Sequence, residues 1–159
     1  MSGHHAENRE ILRLQIEELW GKGRTELVDT LYTSDAIDHM PLPGQPSGVS
    51  GLRGVVESFH EALPDLQIKV HGILAEEDRA VDFWTLTGTH QGEVMGLKPT
   101  GNSVAFSGID MVRIRDGRIS DIWHVEELLQ MLVQMGADPV SFGRPQRSSP
   151  PPPAEEDAR

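Results

Sequence analysis

The stretch SVAFSGIDMVRIRDGRISDIWHVEE, residues 103–127, decides the fold of this chain. Two runs of alternating polar and apolar residues flank the dipeptide Asp116-Gly117, which is a strong signal for a β-hairpin. Upstream, QIKVHGILAE (67–76) and RAVDFWTLTGTHQG (79–92) show the same alternation around an acidic turn. The second half of the chain therefore predicts four antiparallel strands.

The first half predicts helices. Apolar residues recur at helical spacing in ENREILRLQIEELWGKG (7–23), RTELVDTLYTSD (24–35) and SGLRGVVESFHEALPDL (50–66). Between them, IDHMPLPGQPSG (37–48) is rich in Pro and Gly and predicts a loop or an irregular strand. A short helix, VEELLQMLVQMG (125–136), follows the strands. Helices followed by an antiparallel sheet define an α+β domain, with a curved sheet and the helices on one face.

Composition excludes several classes of protein. The chain has 159 residues, no cysteine and a net charge of −11. The missing cysteines exclude disulfide scaffolds, iron–sulfur sites and thiol catalysis. The acidic balance argues against nucleic acid or an anionic membrane as partner, because both need a basic patch. No apolar run approaches the 18 or so residues of a membrane span, and the polar N-terminus has no signal-peptide core, so we expect a cytoplasmic protein.

The chain divides into three segments: a flexible N-terminus over residues 1–6, one α+β domain over 7–142, and a disordered tail over 143–159. The tail, GRPQRSSPPPPAEEDAR, has five prolines and no large apolar residue. Its three Arg and three acidic residues cancel, so the charge of −11 lies on residues 1–142. The alternative for the tail is a polyproline ligand for another domain.

Long phrases of the chain resemble the SnoaL-like polyketide cyclases, which belong to the ketosteroid isomerase and nuclear transport factor superfamily. They are ENREILRLQIEELW (7–20), FHEALPDL (59–66) and GTHQGEVMGLKPTGNSVAFSGIDMVRIRDGRISDIWHVEELLQMLVQMG (88–136). The resemblance covers roughly residues 7–136. It implies a cone-shaped fold in which a bent sheet wraps a long helix around a deep pocket. Because this fold hosts isomerases, cyclases, epoxide hydrolases, dehydratases and non-catalytic binders, the chemistry must be argued from pocket residues.

Asp110 is the strongest candidate for chemistry. It is the one polar residue on a strand face whose other members are Val104, Phe106, Gly108, Val112 and Ile114. Burial on an apolar wall raises the pKa of a carboxyl, which suits a general acid or base near neutral pH. The alternative is a structural acid that is hydrogen-bonded to the backbone or to an arginine.

The turn decides whether His124 shares that face. A two-residue loop pairs Asp110 with Trp123 and sends His124 to the opposite side. A three-residue loop with Gly117 left-handed, closing a bulge, brings His124 to the side of Asp110. This bulged register also leaves an outer apolar stripe that a homodimer would cover, which fits a commonly dimeric family, so we prefer it. The stripe consists of Ile109, Met111, Ile119 and Trp123.

The family comparison shows an exchange of residue types. Polyketide-cyclising members have an Asp where this chain has His124, and a His where it has Asp110. The exchange argues against the usual intramolecular aldol step, yet a His beside a carboxylate remains a proton-transfer pair near neutral pH. The alternative for His124 is a structural histidine near a strand end.

Other residues complete the predicted site. We expect His90, at an inward strand end, to position a substrate oxygen, with the alternative that it is structural. We expect His39, at the family's pocket mouth, to contact the ligand or to be solvated. The remaining substrate-binding candidates are Met40, Phe59, Trp84, Met95 and Phe106. The spacing of the histidines matches no metal motif and no nucleotide motif is present, so we expect neither a metal nor another cofactor.

The resemblance and the candidate pair together predict a cofactor-independent cyclase or isomerase. It would act by general acid–base catalysis on a hydrophobic, oxygenated, polyketide-type small molecule in natural-product (antibiotic) biosynthesis. One alternative is an epoxide-opening cyclase or hydrolase of the same fold. Another is a non-catalytic small-molecule-binding accessory protein.

Overall fold

The computed structural model describes residues 2–139. The predicted tail lies outside the described residues, so its disorder stays a prediction. The helices are α1 (Ser2–Arg13, continued by a π-helical stretch, Leu14–Trp20), α2 (Val28–Leu31, preceded by a 3₁₀ turn, Thr25–Leu27), α3 (Gly48–Ala62) and α4 (Leu128–Gln134). The strands are β1 (Tyr32–Asp38), β2 (Gln67–Glu76), β3 (Arg79–Thr89), β4 (Ser103–Arg115) and β5 (Arg118–Glu126). Among the described residues, no helix is long and apolar enough to cross a membrane.

The α+β fold is confirmed as an open, curved sheet with the helices packed on its inner face. The strand order is β1-β5-β4-β3-β2, and β2 to β5 are antiparallel neighbours, as the alternation predicts. The sheet is mixed, because β1 pairs with β5 in parallel. The sequence did not predict this fifth strand: the helical spacing extended through Tyr32, whereas the chain turns into the sheet there. Tyr32 and Ala36 are buried in the core, and this burial stabilises β1 in the sheet although its sequence has no alternating pattern.

The first helix begins at Ser2, earlier than Glu7, where the apolar pattern starts. Its π-helical continuation buries Gln15 together with Ile16 and Leu19. A buried glutamine is unusual, and π-helical turns are frequent at functional sites. The end of this long helix therefore carries a polar group into the interior of the cone.

The hairpin between β4 and β5 differs in detail from the prediction. Asp116 and Gly117 both have positive φ, 51° and 74°, and close a two-residue turn. The predicted three-residue loop is therefore wrong. The bulge lies farther along, at Ser120, where the register shifts by one residue. Its consequence is as expected, because Asp110 is paired directly with His124 and both lie on one face.

The same bulge corrects the predicted outer stripe. Ile119 precedes the bulge and is fully buried in the core, so it does not belong to the outer face. Ile109 is exposed on that face, and Phe83 and Val125 are exposed there too. Assembly of two copies through this surface stays a prediction.

The core fills the space between the helices and the concave face of the sheet. Each fully buried Leu, Ile or Phe side chain contributes about 1.5–3 kcal/mol of hydrophobic free energy, which holds the short helices on the sheet. The largest members are Leu12, Ile16, Leu19, Tyr32, Leu63, Leu86, Ile119, Met131 and Met135.

Candidate active site

A cavity opens between the inner face of the sheet and the helices. The walls are mostly apolar and consist of Ile16, Trp20, Leu42, Leu52, Val55, Phe59, Ile68, Trp84, Leu86, Phe106, Ile122, Leu128 and Met131. The polar lining residues are Asp38, Gln45, Asp110, His124 and Glu126. Such a cavity, apolar with a few convergent polar groups, is typical of a small-molecule site.

Aromatic rings shape the inner wall. The Trp84 ring packs edge-on against Phe106, with ring centroids 5.8 Å apart, and the Trp20 ring packs edge-on against Phe59 at 5.9 Å. Trp84 lies directly over Gly108, where a Cβ atom would come within 2.3 Å of its ring. The position of this tryptophan therefore depends on glycine at residue 108.

His124 lies between two carboxylates. Its Nδ1–H donates to Glu126 Oε2 at 2.9 Å, and its Nε2–H faces Asp38 Oδ1 and Oδ2 at 3.2 and 3.4 Å. Burial alone would lower the pKa of His124, but the bonds to Asp38 and Glu126 outweigh it and raise the pKa to about 10. The imidazole is therefore a cation at neutral pH.

Asp38 is fixed by the loop that follows β1. It accepts hydrogen bonds from the backbone N–H of Met40 at 2.9 Å and from Nε2 of Gln45 at 2.8 Å. Burial opposes ionisation of Asp38, but His124 and these two donors together hold its pKa below the usual range. The sequence did not predict Asp38 as a site residue, because only the parallel pairing of β1 with β5 brings it beside His124.

Asp110 faces the cavity from β4 and is 4% exposed. Burial raises its pKa, and hydrogen bonding by Trp84 together with the charge of the nearby His124 limits the rise. Within the described residues Asp110 forms no ion pair with arginine, lysine or His124, and whether it is a catalytic or a structural acid stays a prediction. Asp110 and His124 both line the cavity, so a molecule bound there can contact both groups.

Asp82 lies behind Asp110, on β3. The two residues are direct partners in the antiparallel register, and the backbone N–H of Asp110 donates to Asp82 Oδ1 at 3.2 Å. Asp82 is 1% exposed, and burial together with the charge of Asp110 raises its pKa. The sequence analysis missed it, although the alternation that points Trp84 and Leu86 inward extends to Asp82.

The structure brings together five of the predicted site residues. Asp110 and His124 line one cavity with Phe59, Trp84 and Phe106. Gln45 and Glu126 line it too, and they were not predicted.

Four other predicted residues lie outside the cavity lining. His90 is fully buried elsewhere, with its Nδ1 3.1 Å from Thr100 Oγ1. His39 stacks on Trp123, on the other side of the sheet from Asp110 and His124, because the strand alternates its faces. Met40 and Met95 are 44% and 37% exposed. Their parts in catalysis and binding stay predictions.

Metal ligation finds no support in the described part of the chain. No group of three or more His, Asp or Glu side chains over residues 2–139 is arranged to hold an ion. The absence of a cofactor stays an expectation.

The fold and this cavity define a class: a curved-sheet α+β protein with a carboxyl group and a cationic histidine facing each other in an apolar pocket. The chain belongs to the SnoaL-like polyketide cyclase family, whose model matches residues 10–135. No curated protein is a significant match to the chain.

Solved structures agree with this assignment. AclR from Streptomyces galilaeus, a proposed hydroxylase, is 30% identical and superposes with a TM-score of 0.70, covering 82% of this chain and 97% of its own. IdmH from Streptomyces antibioticus, a proposed polyketide cyclase, is 29% identical with a TM-score of 0.67, covering 80% and 97%. TsrD from Streptomyces laurentii shares the fold at 22% identity, with a TM-score of 0.75 over 84% of this chain and 97% of its own.

Proposed function

We propose that this protein is a cofactor-independent cyclase or isomerase that acts by general acid–base catalysis on a hydrophobic, oxygenated, polyketide-type molecule. One observation carries the proposal: Asp110 and His124 are paired across neighbouring strands and face one apolar cavity. Family membership supports the substrate class. We also propose that the reaction belongs to natural-product biosynthesis, because polyketides are natural products, and that it takes place in the cytoplasm.

The two groups have complementary roles. Asp110 takes a proton from a carbon or hydroxyl of the substrate, and His124 gives a proton to a carbonyl oxygen as charge develops there. One proton enters the protein and one leaves, so the step balances without a redox partner. The Nε2–Asp38 contact, at 3.2 Å, is longer than the 2.7–2.9 Å or so of a strong charge-assisted bond, so a substrate oxygen can compete for that proton.

The charge of the cavity restricts the substrate. Asp38, Asp110 and Glu126 surround the single cation of His124. A substrate carboxylate or phosphate would be repelled, whereas a neutral ring system fits the aromatic walls. The substrate is therefore a neutral molecule with carbonyl, hydroxyl or epoxide oxygens.

Epoxide opening is the second candidate reaction, favoured by the cationic state of His124. Protonation of the epoxide oxygen by His124 would accompany attack by a hydroxyl whose proton goes to Asp110, so the carbon–oxygen bond breaks as the new one forms. The exchange of Asp and His relative to polyketide-cyclising members also favours this reaction.

Turnover of candidate substrates tests the proposal. The purified chain is incubated with neutral polyketide-type ketones and epoxides, and products are followed by mass spectrometry in H₂O and D₂O. We expect a product whose formation falls at least about 100-fold in Asp110→Asn and in His124→Ala. Unchanged turnover in both folded variants would refute the acid–base pair. Tight binding of a ligand without any turnover would favour the non-catalytic accessory protein.

A further inference from the structure

Behind the cavity lies a group of buried polar side chains whose atoms reach no partner at full hydrogen-bond geometry among the described residues. They are the Gln15 amide, the Tyr32 hydroxyl, Asp82 Oδ2 and the Trp84 indole N–H. Gln15 and Trp84 nevertheless lie close enough to Asp110 for weak hydrogen bonding that lowers its pKa, and Gln15 acts in the same way on Tyr32, so these residues form one group around the two carboxyls. Buried polar groups are normally satisfied, so this group requires an explanation.

The two carboxyls cannot both be ionised at low cost. Asp82 and Asp110 are direct cross-strand partners, and such partners on one face have Cβ atoms about 4.5–5.5 Å apart. They are 1% and 4% exposed, and no lysine or arginine forms an ion pair with either of them within the described residues. Two carboxylates this close in a low dielectric retain one proton between them.

The neighbouring charges decide which carboxyl keeps the proton. His124, on β5, is the cation that faces the pair, and it is the cross-strand partner of Asp110. The other titratable groups near the pair are acidic: Tyr32 on β1 interacts with both carboxyls, Glu126 on β5 interacts with Asp110, and Asp38 on β1 interacts with Tyr32. Asp82 is farther from the cation, and its Oδ2 is unpartnered while Oδ1 accepts from the Asp110 backbone.

We propose that Asp82 and Asp110 hold one proton between them, and that Asp82 carries it at neutral pH. Asp82 is then a positioning residue: its neutral carboxyl leaves Asp110 ionised and ready to accept a proton from the substrate. The catalytic consequence rests on the proposed function, whereas the shared proton is a property of the free protein.

Infrared spectroscopy of the full chain tests the shared proton. At pH 7 we expect the C=O band of one protonated carboxyl in the wild type. We expect the band to be lost in Asp82→Asn. In Asp110→Asn the repulsion between the two carboxylates is gone while the burial of Asp82 remains, so the band should disappear at a lower pH than in the wild type. Asp35→Asn is the matched control, since Asp35 is an exposed partner of Arg115 and should leave the band unchanged.

Absence of the band from the folded wild type, or its persistence in folded Asp82→Asn, would overturn the proposal. If Asp82→Asn does not fold, a pH titration of folded Asp110→Asn is the test, and a band that disappears at the same pH as in the wild type would refute a proton shared with Asp110. The catalytic role has its own measurement. In Asp82→Asn the alkaline limb of the pH profile should move up toward the ionisation of His124, and an unmoved limb would contradict that role.

Failure of this inference can be distinguished from failure of the proposed function, because the band is recorded without substrate. If the band is present but no substrate is turned over, only the proposed function is refuted. If the enzyme is active but the band is absent, only the shared proton is refuted.

Discussion

The carboxyl groups on the two sides of the cavity lie in opposite electrostatic environments. On the side of β1 and β5, Asp38 and Glu126 surround His124, and each hydrogen bond joins opposite charges. On the side of β3 and β4, Asp82 and Asp110 are cross-strand partners in the core, and the buried polar groups around them reach no partner at full hydrogen-bond geometry. The side of β1 and β5 stabilises charged groups, whereas the side of β3 and β4 disfavours ionised carboxyls.

This difference makes acid–base chemistry possible near neutral pH. The imidazolium stays protonated because two acidic neighbours stabilise it, and the carboxyl pair retains a proton because burial disfavours two charges. A substrate between Asp110 and His124 contacts one group of each kind. Pairs of groups whose pKa values are set by opposite environments are typical of acid–base sites.

Removing one group from each side should have the largest effect. Asp110→Asn combined with His124→Ala should reduce turnover by about the same factor, at least about 100-fold, as either change alone, because the two groups act in one step. Kinetics of the single and double variants measure this. A double variant whose loss equals the product of the single losses would show that the two groups act independently.

A change in packing on the side of β3 and β4 should have the next largest effect, on the stability of the fold. Gly108→Ala places a methyl group against the Trp84 ring and should lower the free energy of unfolding by about 1–3 kcal/mol. Chemical denaturation followed by tryptophan fluorescence measures it. Gly72→Ala is the control, because its Cβ has no atom within 4 Å. Equal stability of the two variants would contradict the described position of Trp84.

Removing a carboxylate from the side of β1 and β5 should lower the pKa of His124. Asp38→Asn removes one of the two carboxylates that raise the pKa of His124, which should fall by about one unit, equivalent to about 1.4 kcal/mol. Nitrogen NMR of the histidine-labelled variant should then show His124 titrating at a lower pH than in the wild type. Asp35→Asn, an exposed change on the same strand, should leave this titration unchanged. An identical titration in Asp38→Asn would show that Glu126 alone keeps His124 protonated.

Removing a carboxyl from the side of β3 and β4 should make the folded protein more stable at a pH where that carboxyl would ionise. A carboxyl whose pKa is raised in the folded state destabilises that state as the pH rises above its unfolded value, near 4. Asp82→Asn should therefore raise the free energy of unfolding by about 1 kcal/mol at pH 8 and leave it unchanged near pH 3, below the unfolded pKa. Urea denaturation at both pH values measures this. A loss of stability at pH 8 would indicate that ionised Asp82 is satisfied in the core.

Sequence periodicity predicted the parts of the site that lie on long antiparallel strands. Asp110 stands out on an apolar face, and Trp84 and Phe106 follow from the same alternation. The face of His124 depended on a bulge, and the bulge occurs at Ser120 rather than in the turn. Strand parity can predict a face only where the register is known, so the turn alone could not decide it.

Residues that depend on long-range pairing could not be predicted in this way. Asp38 reaches His124 because β1 adds to the sheet in parallel, and β1 has no alternating pattern of its own. The inward position of Gln15 depends on a local π-helical turn, which apolar spacing does not reveal. Asp82 could have been predicted to face inward from the alternation of its strand. Its importance depends on its pairing with Asp110 in the sheet register.

The protonation state of His124 tests the central claim most directly. Nitrogen NMR of the histidine-labelled full chain, titrated from pH 5 to pH 10, reports whether both ring nitrogens carry protons. The account predicts that His124 remains an imidazolium through pH 8 and titrates near 10, with His124→Ala identifying its signals. Titration of His124 near its ordinary value of 6.5 would contradict the account, because the acid of the proposed reaction would then be neutral at working pH.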